Sequence, residues 1–174
     1  MTNHTQPPNL TRGLLAGALG GLVASWVMNL FIAAAMKAHE CAKSPEQQAR
    51  EQLQQNEDGS EDSTIKVADT ITWLATGQHL SKEGKQMGGP IVHYAFGTLM
   101  GACYGALAQY SKSTTAYAGT AFGTGLFIAA DEIIVPALGL SKPPTQQTAS
   151  DQLLHYAAHL VYGATTELVR RYIA

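Results

Sequence analysis

Glycine recurs at every fourth residue in two places, Gly13-Gly17-Gly21 and Gly97-Gly101-Gly105, and each series lies inside a long run without Asp, Glu, Lys or Arg. On a helix this spacing puts the glycines on one face. The missing side chains there let a second backbone approach closely, as helices do in lipid. The first uncharged run, Gly13 to Met36, has 24 residues, and about 20 apolar residues suffice to cross a bilayer. A soluble helix of that length carries a charged face opposite its apolar stripe, and neither run has one. The chain therefore reads as all-α, a polytopic membrane helical bundle whose first partner is the lipid bilayer.

The average composition hides this. Mean hydropathy is −0.04 and the formal net charge is −2, values that suit a soluble protein. The charge is segregated, however. Lys37 to Lys85 hold six of the eleven Lys/Arg and nine of the thirteen Asp/Glu. One polar loop dilutes a membrane core. At 174 residues the chain is a single domain, 1–174. Cys41 and Cys103 are too few for a disulfide framework. The first apolar run is too long for a cleaved leader and ends at Lys37, not at a cleavage site.

Four spans are expected, at about 14–36, 91–110, 117–135 and 152–169, with a polar helical loop at 37–89. The second starts after Gly88-Gly89-Pro90, Pro being suited to a first helical turn. In the third, Pro136 should disrupt the helix by clashing with the carbonyl of Glu132. Gly119 and Gly123 give that span its own small-residue stripe. The glycine rows serve either packing within one chain or self-association into a homo-oligomer. The fourth span ends at Arg170-Arg171, and its Glu167 is expected to make a surface pair with them. In the loop, Ser44-Pro45-Glu46 reads as a cap and acidic first turn of a polar helix reaching about Gln55. Ile65, Ala68, Ile71 and Leu74 then recur at helical spacing. This second loop helix, about Thr64 to Thr76, either lies on the membrane surface or caps the span ends.

With four spans, the loops after the first and third share a side. His93, Asp131, Glu132, His155 and His159 then sit within roughly 5–15 Å of one membrane face, at about 1.5 Å per helical residue. Ionisable residues inside a membrane are functional candidates by default. His155 and His159, four apart, share a helix face. With Asp131 and His93 they offer nitrogen and oxygen ligands of the kind that Zn, Fe or Mn takes. The same residues equally form a polar network that ties helices together, or handle protons. Asp131 and Glu132 are neighbours, so they point about 100° apart on an α-helix. Asp131 continues the side of Gly123 and Phe127 and is the one expected to meet a span-four histidine, with His93 adjacent.

Several segments resemble the YagU-like family of bacterial inner-membrane proteins, a domain family of unknown function. They are Gly13-Leu14-Leu15-Ala16-Gly17, His93 opening a span that ends Tyr104-Gly105-Ala106-Leu107-Ala108, Pro136 to Pro144, and Ala158-His159-Leu160-Val161-Tyr162-Gly163 on to Glu167 and Arg170-Arg171. The likeness covers the four spans and omits the acidic loop. It implies a small multi-span inner-membrane protein and brings no activity, cofactor or catalytic residue.

No Walker sequence, dinucleotide fingerprint, HExxH or GxSxG occurs, and no basic patch suits nucleic acid. The expectation is a non-enzymatic membrane protein with a structural or stress-related role and no cofactor. The alternative is metal-ion or proton binding and transport at the His/carboxylate cluster. Arg12, Lys112, Arg170 and Arg171 flank the side opposite the long loop. Their density, together with the resemblance, places both termini in the cytoplasm, although a raw count of basic residues favours the loop side.

Overall fold

The computed structural model describes residues 9–44, 46–47 and 61–173. Among them every regular element is helical. Helix α1 (Leu10–Ala42) opens at Asn9, whose side chain accepts the Arg12 N–H. Helix α2 (Ser63–Thr76) is capped by Asp62 and closed by Gly77 at φ +72°, a left-handed position that glycine takes without strain. Helix α3 (Lys82–Tyr110) starts at the Ser81 cap. A 3₁₀ segment (Lys112–Gly119) leads into α4 (Thr120–Leu126), which continues as a π-helix (Phe127–Ile134) and a last α turn (Val135–Ala137). Helix α5 (Ala149–Ile173) follows. Ser44 and Gln47 cap each other reciprocally, at 3.1 and 3.4 Å. The polar helix expected from there to Gln55 lies outside the described residues.

The two glycine rows face each other across α1 and α3, running antiparallel. A Cβ built on Gly17 would lie 2.8 Å from the Gly105 Cα, and one on Gly101 2.6 Å from the Gly21 Cα. A second small-residue seam joins α4 to α5. A Cβ on Gly163 would come within 2.9 Å of the Gly123 nitrogen, and one on Gly119 within 2.8 Å of the Glu167 Cβ. Gly20 meets the Thr166 backbone and so brings α5 against α1. Between the seams, Ala24, Met28, Ala158 and Tyr162 form the core, with Phe31, Ile32, Phe122 and Leu126 packed on it. The helices run up, down, up, down.

The burial pattern is inverted relative to a soluble bundle. Apart from Met28 and two tyrosines, the buried hydrophobics are all alanines. Leu15, Leu19, Trp26, Leu30, Ile91, Leu99 and Leu168 stand exposed at 43% or more. Apolar surface that continuous marks contact with lipid. Three helical stretches, Leu10–Ala42, Lys82–Tyr110 and Lys112–Ala137, are long and apolar enough to cross a membrane. The fourth expected span is not among them. At 25 residues, α5 is roughly 37 Å long, but its histidines and charged residues lower its apolar character.

The first and last helices overrun the expected spans at both ends, and the second and third spans differ in three further ways. Helix α3 begins a full two turns before Pro90, which lies inside it. Pro90 leaves the Gln86 carbonyl without its helical partner, and Gln86 is exposed, so water can satisfy it. The α-helix of the third span begins at Thr120, because Tyr117, Ala118 and Gly119 all take left-handed φ values of 51°, 54° and 86°. Pro136 does not break its helix. The turn before it widens into a π-helix, in which the Val135 N–H reaches back to the Ala130 carbonyl. The extra residue per turn relieves the clash that a proline imposes on an α-helix.

Candidate polar site between the helices

Asp131 lies in the π-helical stretch and faces α5. Its Oδ2 is 3.5 Å from the His155 Nδ1 and 3.7 Å from the His159 Nδ1. Helical spacing stacks the two imidazoles on one face of α5, and the Gly123–Gly163 seam brings that face close to α4. The His159 Nδ1–H is committed elsewhere, donating to the His155 carbonyl at 2.8 Å. Phe127 packs on His159 and on Tyr156, with centroids 5.6 and 5.4 Å apart. His159 is thus a buried, fixed side chain, whereas His155 is 55% exposed. Asp131 stands between these extremes.

His93 and Glu132 complete the sequence-derived set, but neither joins the pair directly. His93 makes an edge contact with Tyr94, which in turn accepts from the Asn29 amide at 3.3 Å. The His93 Nε2 and the Glu132 Oε1 are both buried without a hydrogen-bond partner. Asp62, Asp131 and His159 are the titratable neighbours of His93. The structure therefore brings Asp131, His155 and His159 together, sets His93 at their edge, and leaves the Glu132 Oε1 buried without a hydrogen-bond partner. Among the described residues, no group of three or more His, Cys, Asp or Glu is arranged to hold a metal ion.

Helix α2 covers this end of the bundle. Ala68 and Ile65 rest on Gly88 and Gly89 of α3, and the Lys66 Nζ donates to the Leu140 carbonyl at 3.0 Å, holding the α4–α5 connection. Asp69 ties the α2–α3 turn, accepting the Leu80 N–H at 2.6 Å and pairing with the His79 ring at 2.8 Å. The Leu80 amide first, and His79 second, hold the Asp69 carboxyl below its ordinary value. On the sequence alternatives for α2, the structure shows a cap on the span ends. Its outer residues Ile71 and Leu74 remain exposed.

A second polar group sits at the opposite end, and sequence reasoning misjudged it. Glu167 is 1% exposed and makes no surface pair. The Tyr104 hydroxyl donates to its Oε2 at 2.7 Å. Arg170 grips both carboxylate oxygens at 2.7 and 2.9 Å, and the Arg171 Nε donates to Oε1 at 2.6 Å. The carboxylate accepts four charge-assisted hydrogen bonds, three from arginines on its own helix and one, from Tyr104, that links α3 to α5. The signal was in the sequence, since Glu167 falls four residues after Gly163 and eight after His159, on the face of α5 that packs inward. Tyr162 adds another interhelical bond, donating to the Gly97 carbonyl at 2.5 Å.

A family model described as a protein of unknown function (DUF1440) matches residues 35–168, and the chain belongs to that family. The match agrees with the likeness read from short motifs over the second to fourth spans, takes in the acidic loop as well, and leaves out most of the first span. All five residues of the sequence-derived cluster fall inside it. No curated protein and no solved structure matches the chain.

Proposed function

Taking membership of a family without an assigned activity as the premise, we propose that this chain is a four-span bacterial inner-membrane protein without enzymatic activity. Its polar groups serve to tie the helices together. One observation carries the reading: α5 lies along α1 from Thr166 at Gly20 to Ala158 in the core shared with Ala24 and Met28, and along α4 from Gly163 at Gly123 to His155 at Asp131. A helix packed antiparallel along two spanning helices shares their depth in the bilayer. Its polar residues are then tolerable because they point inward and find partners, while Leu153 and Leu168 face out. Both glycine rows are taken up within the chain, so they leave no row free for homo-oligomer formation. The end carrying Arg12, Lys112, Arg170 and Arg171 is placed in the cytoplasm by its density of basic residues.

Gln146→Cys and Tyr172→Cys, made singly with Cys41 and Cys103 replaced, test the span count. In sealed vesicles, membrane-impermeant thiol reagents should reach them from opposite sides. Labelling from the same side would reduce the chain to three spans. A second reading, proton or cation handling at Asp131, draws on the unpartnered His93 Nε2 and Glu132 Oε1 and on the exposure of His155. It requires that reconstituted protein conduct and that Asp131→Asn abolish the conduction.

A further inference from the structure

We infer that the end of the bundle carrying Arg12, Lys112 and Arg171 is a binding surface for the phosphate headgroups of anionic phospholipids. The inference rests on the membrane reading above. Three sequence-distant segments converge there. The Arg12 guanidinium reaches from the first turn of α1 to the Ile173 carbonyl at the end of α5, at 3.5 Å. Lys112 opens the α3–α4 connection, exposed. Arg171 spends only its Nε on Glu167 and is 57% exposed, so the outer edge of its guanidinium points away from the bundle. Arg170, by contrast, turns two nitrogens onto Glu167 and is 13% exposed. Among the described side chains, the one carboxylate of this end, Glu167, is consumed inside, and the outward charge they present is positive.

Three tyrosines mark the depth. Tyr110, Tyr117 and Tyr172 all stand at this end, 67%, 85% and 86% exposed. A tyrosine with an apolar ring and a polar tip settles at the headgroup level of a bilayer. Tyr117 is held outward by a left-handed backbone, φ 51°, that a residue with a Cβ adopts at a cost. The guanidinium groups therefore sit at the level of lipid phosphates, where a planar donor set can bind two phosphate oxygens at once. The opposite end differs. There Lys85 is bound to Glu61 at 2.9 Å, with Asp69 beside it, and Lys66 to the Leu140 carbonyl.

The test uses the full chain purified in detergent and offered an equimolar mixture of phosphatidylglycerol and phosphatidylcholine, with retained lipid read by native mass spectrometry. Wild type should retain the anionic lipid in excess. Arg12→Gln/Arg171→Gln should lower that excess about tenfold or more, given the attraction of each basic group near an anionic surface. Lys66→Gln/Lys85→Gln at the other end should leave it intact. The charge-preserving Arg12→Lys/Arg171→Lys should retain most of it, which separates lost charge from lost folding. Equal retention of both lipids by wild type, an unchanged excess in the double glutamine variant, or an equal loss in the lysine control would overturn the inference. Failure of the membrane reading itself would appear separately, as release of the protein from membranes by alkaline carbonate.

Discussion

Gly101→Ala adds one methyl group where the backbones of α1 and α3 lie against each other. The new Cβ would stand 2.6 Å from the Gly21 Cα and 2.7 Å from its nitrogen. Both are backbone atoms, so no side chain can swing aside. The Gly17 carbonyl oxygen lies nearer still, so the helices must separate by about 1 Å to reach ordinary contact. A gap of that size forfeits a quarter to a half of each dispersion contact, at about 0.1–0.2 kcal/mol per atom pair. Spread over the neighbouring glycine turns, with the strain of over-packing added, the loss comes to about 2 kcal/mol. That is roughly a 30-fold change in an unfolding equilibrium. The gain in helix propensity that alanine brings in water is muted here, because a span stays helical when its partners separate. Gly125→Ala on α4 is the control: nothing lies within 4 Å of its added Cβ, so its stability should stay within about 0.5 kcal/mol. Unfolding in mixed micelles of increasing dodecyl sulfate fraction, followed by tryptophan fluorescence, measures both. If the two variants unfold together, the facing of the glycine rows is wrong.

Two further outcomes follow from the polar groups. Glu167→Ala should cost about 3 kcal/mol, the range for stranding one side of a buried ion pair. Arg171→Ala, half exposed, should cost under about 1 kcal/mol, and the same micelle titration ranks them. The lowered Asp69 carboxyl contributes to the α2–α3 turn above its ordinary value of 3.8 and loses that contribution as pH falls through its folded value. In a Trp26→Phe background, fluorescence of Trp73, which stacks on His79, should change in that acid range, and Asp69→Asn should remove the transition.

The sequence made the α1–α3 crossing legible because glycine is a positive signal: its spacing names a face, and only another backbone fits that face. The second seam was half legible. Gly119 and Gly123 were visible, but their partner Gly163 stands alone on α5 with no periodic companion, and a lone glycine has many causes. Asp131 and His159 could be paired by depth along their helices, which needs only 1.5 Å per residue and a span order. His93 and Glu132 could not be resolved the same way. Their orientation depends on the π-helical stretch and on how far α3 extends beyond Pro90, both results of packing that no local motif states.

Glu167 shows how a residue near the end of a helix can be misread. By position it looked interfacial, since Arg170 and Arg171 stop the span just beyond it. Burial is decided by the facing helix, and here that helix presents Tyr104 with no accessible surface. Gly20 and Gly119 let α1 and the α4 entry close over the same turn of α5. The carboxylate is then removed from water, and two guanidinium groups come with it as partners. The arginines thus have two tasks. Arg170 neutralises the interior charge, and Arg171 does so with one nitrogen while presenting the rest of its guanidinium to the interface. The polar content that keeps α5 from meeting the composition of a spanning helix is the content that binds it to its neighbours. Hydropathy sums that polarity whatever face it occupies, while the bilayer registers only the part left exposed.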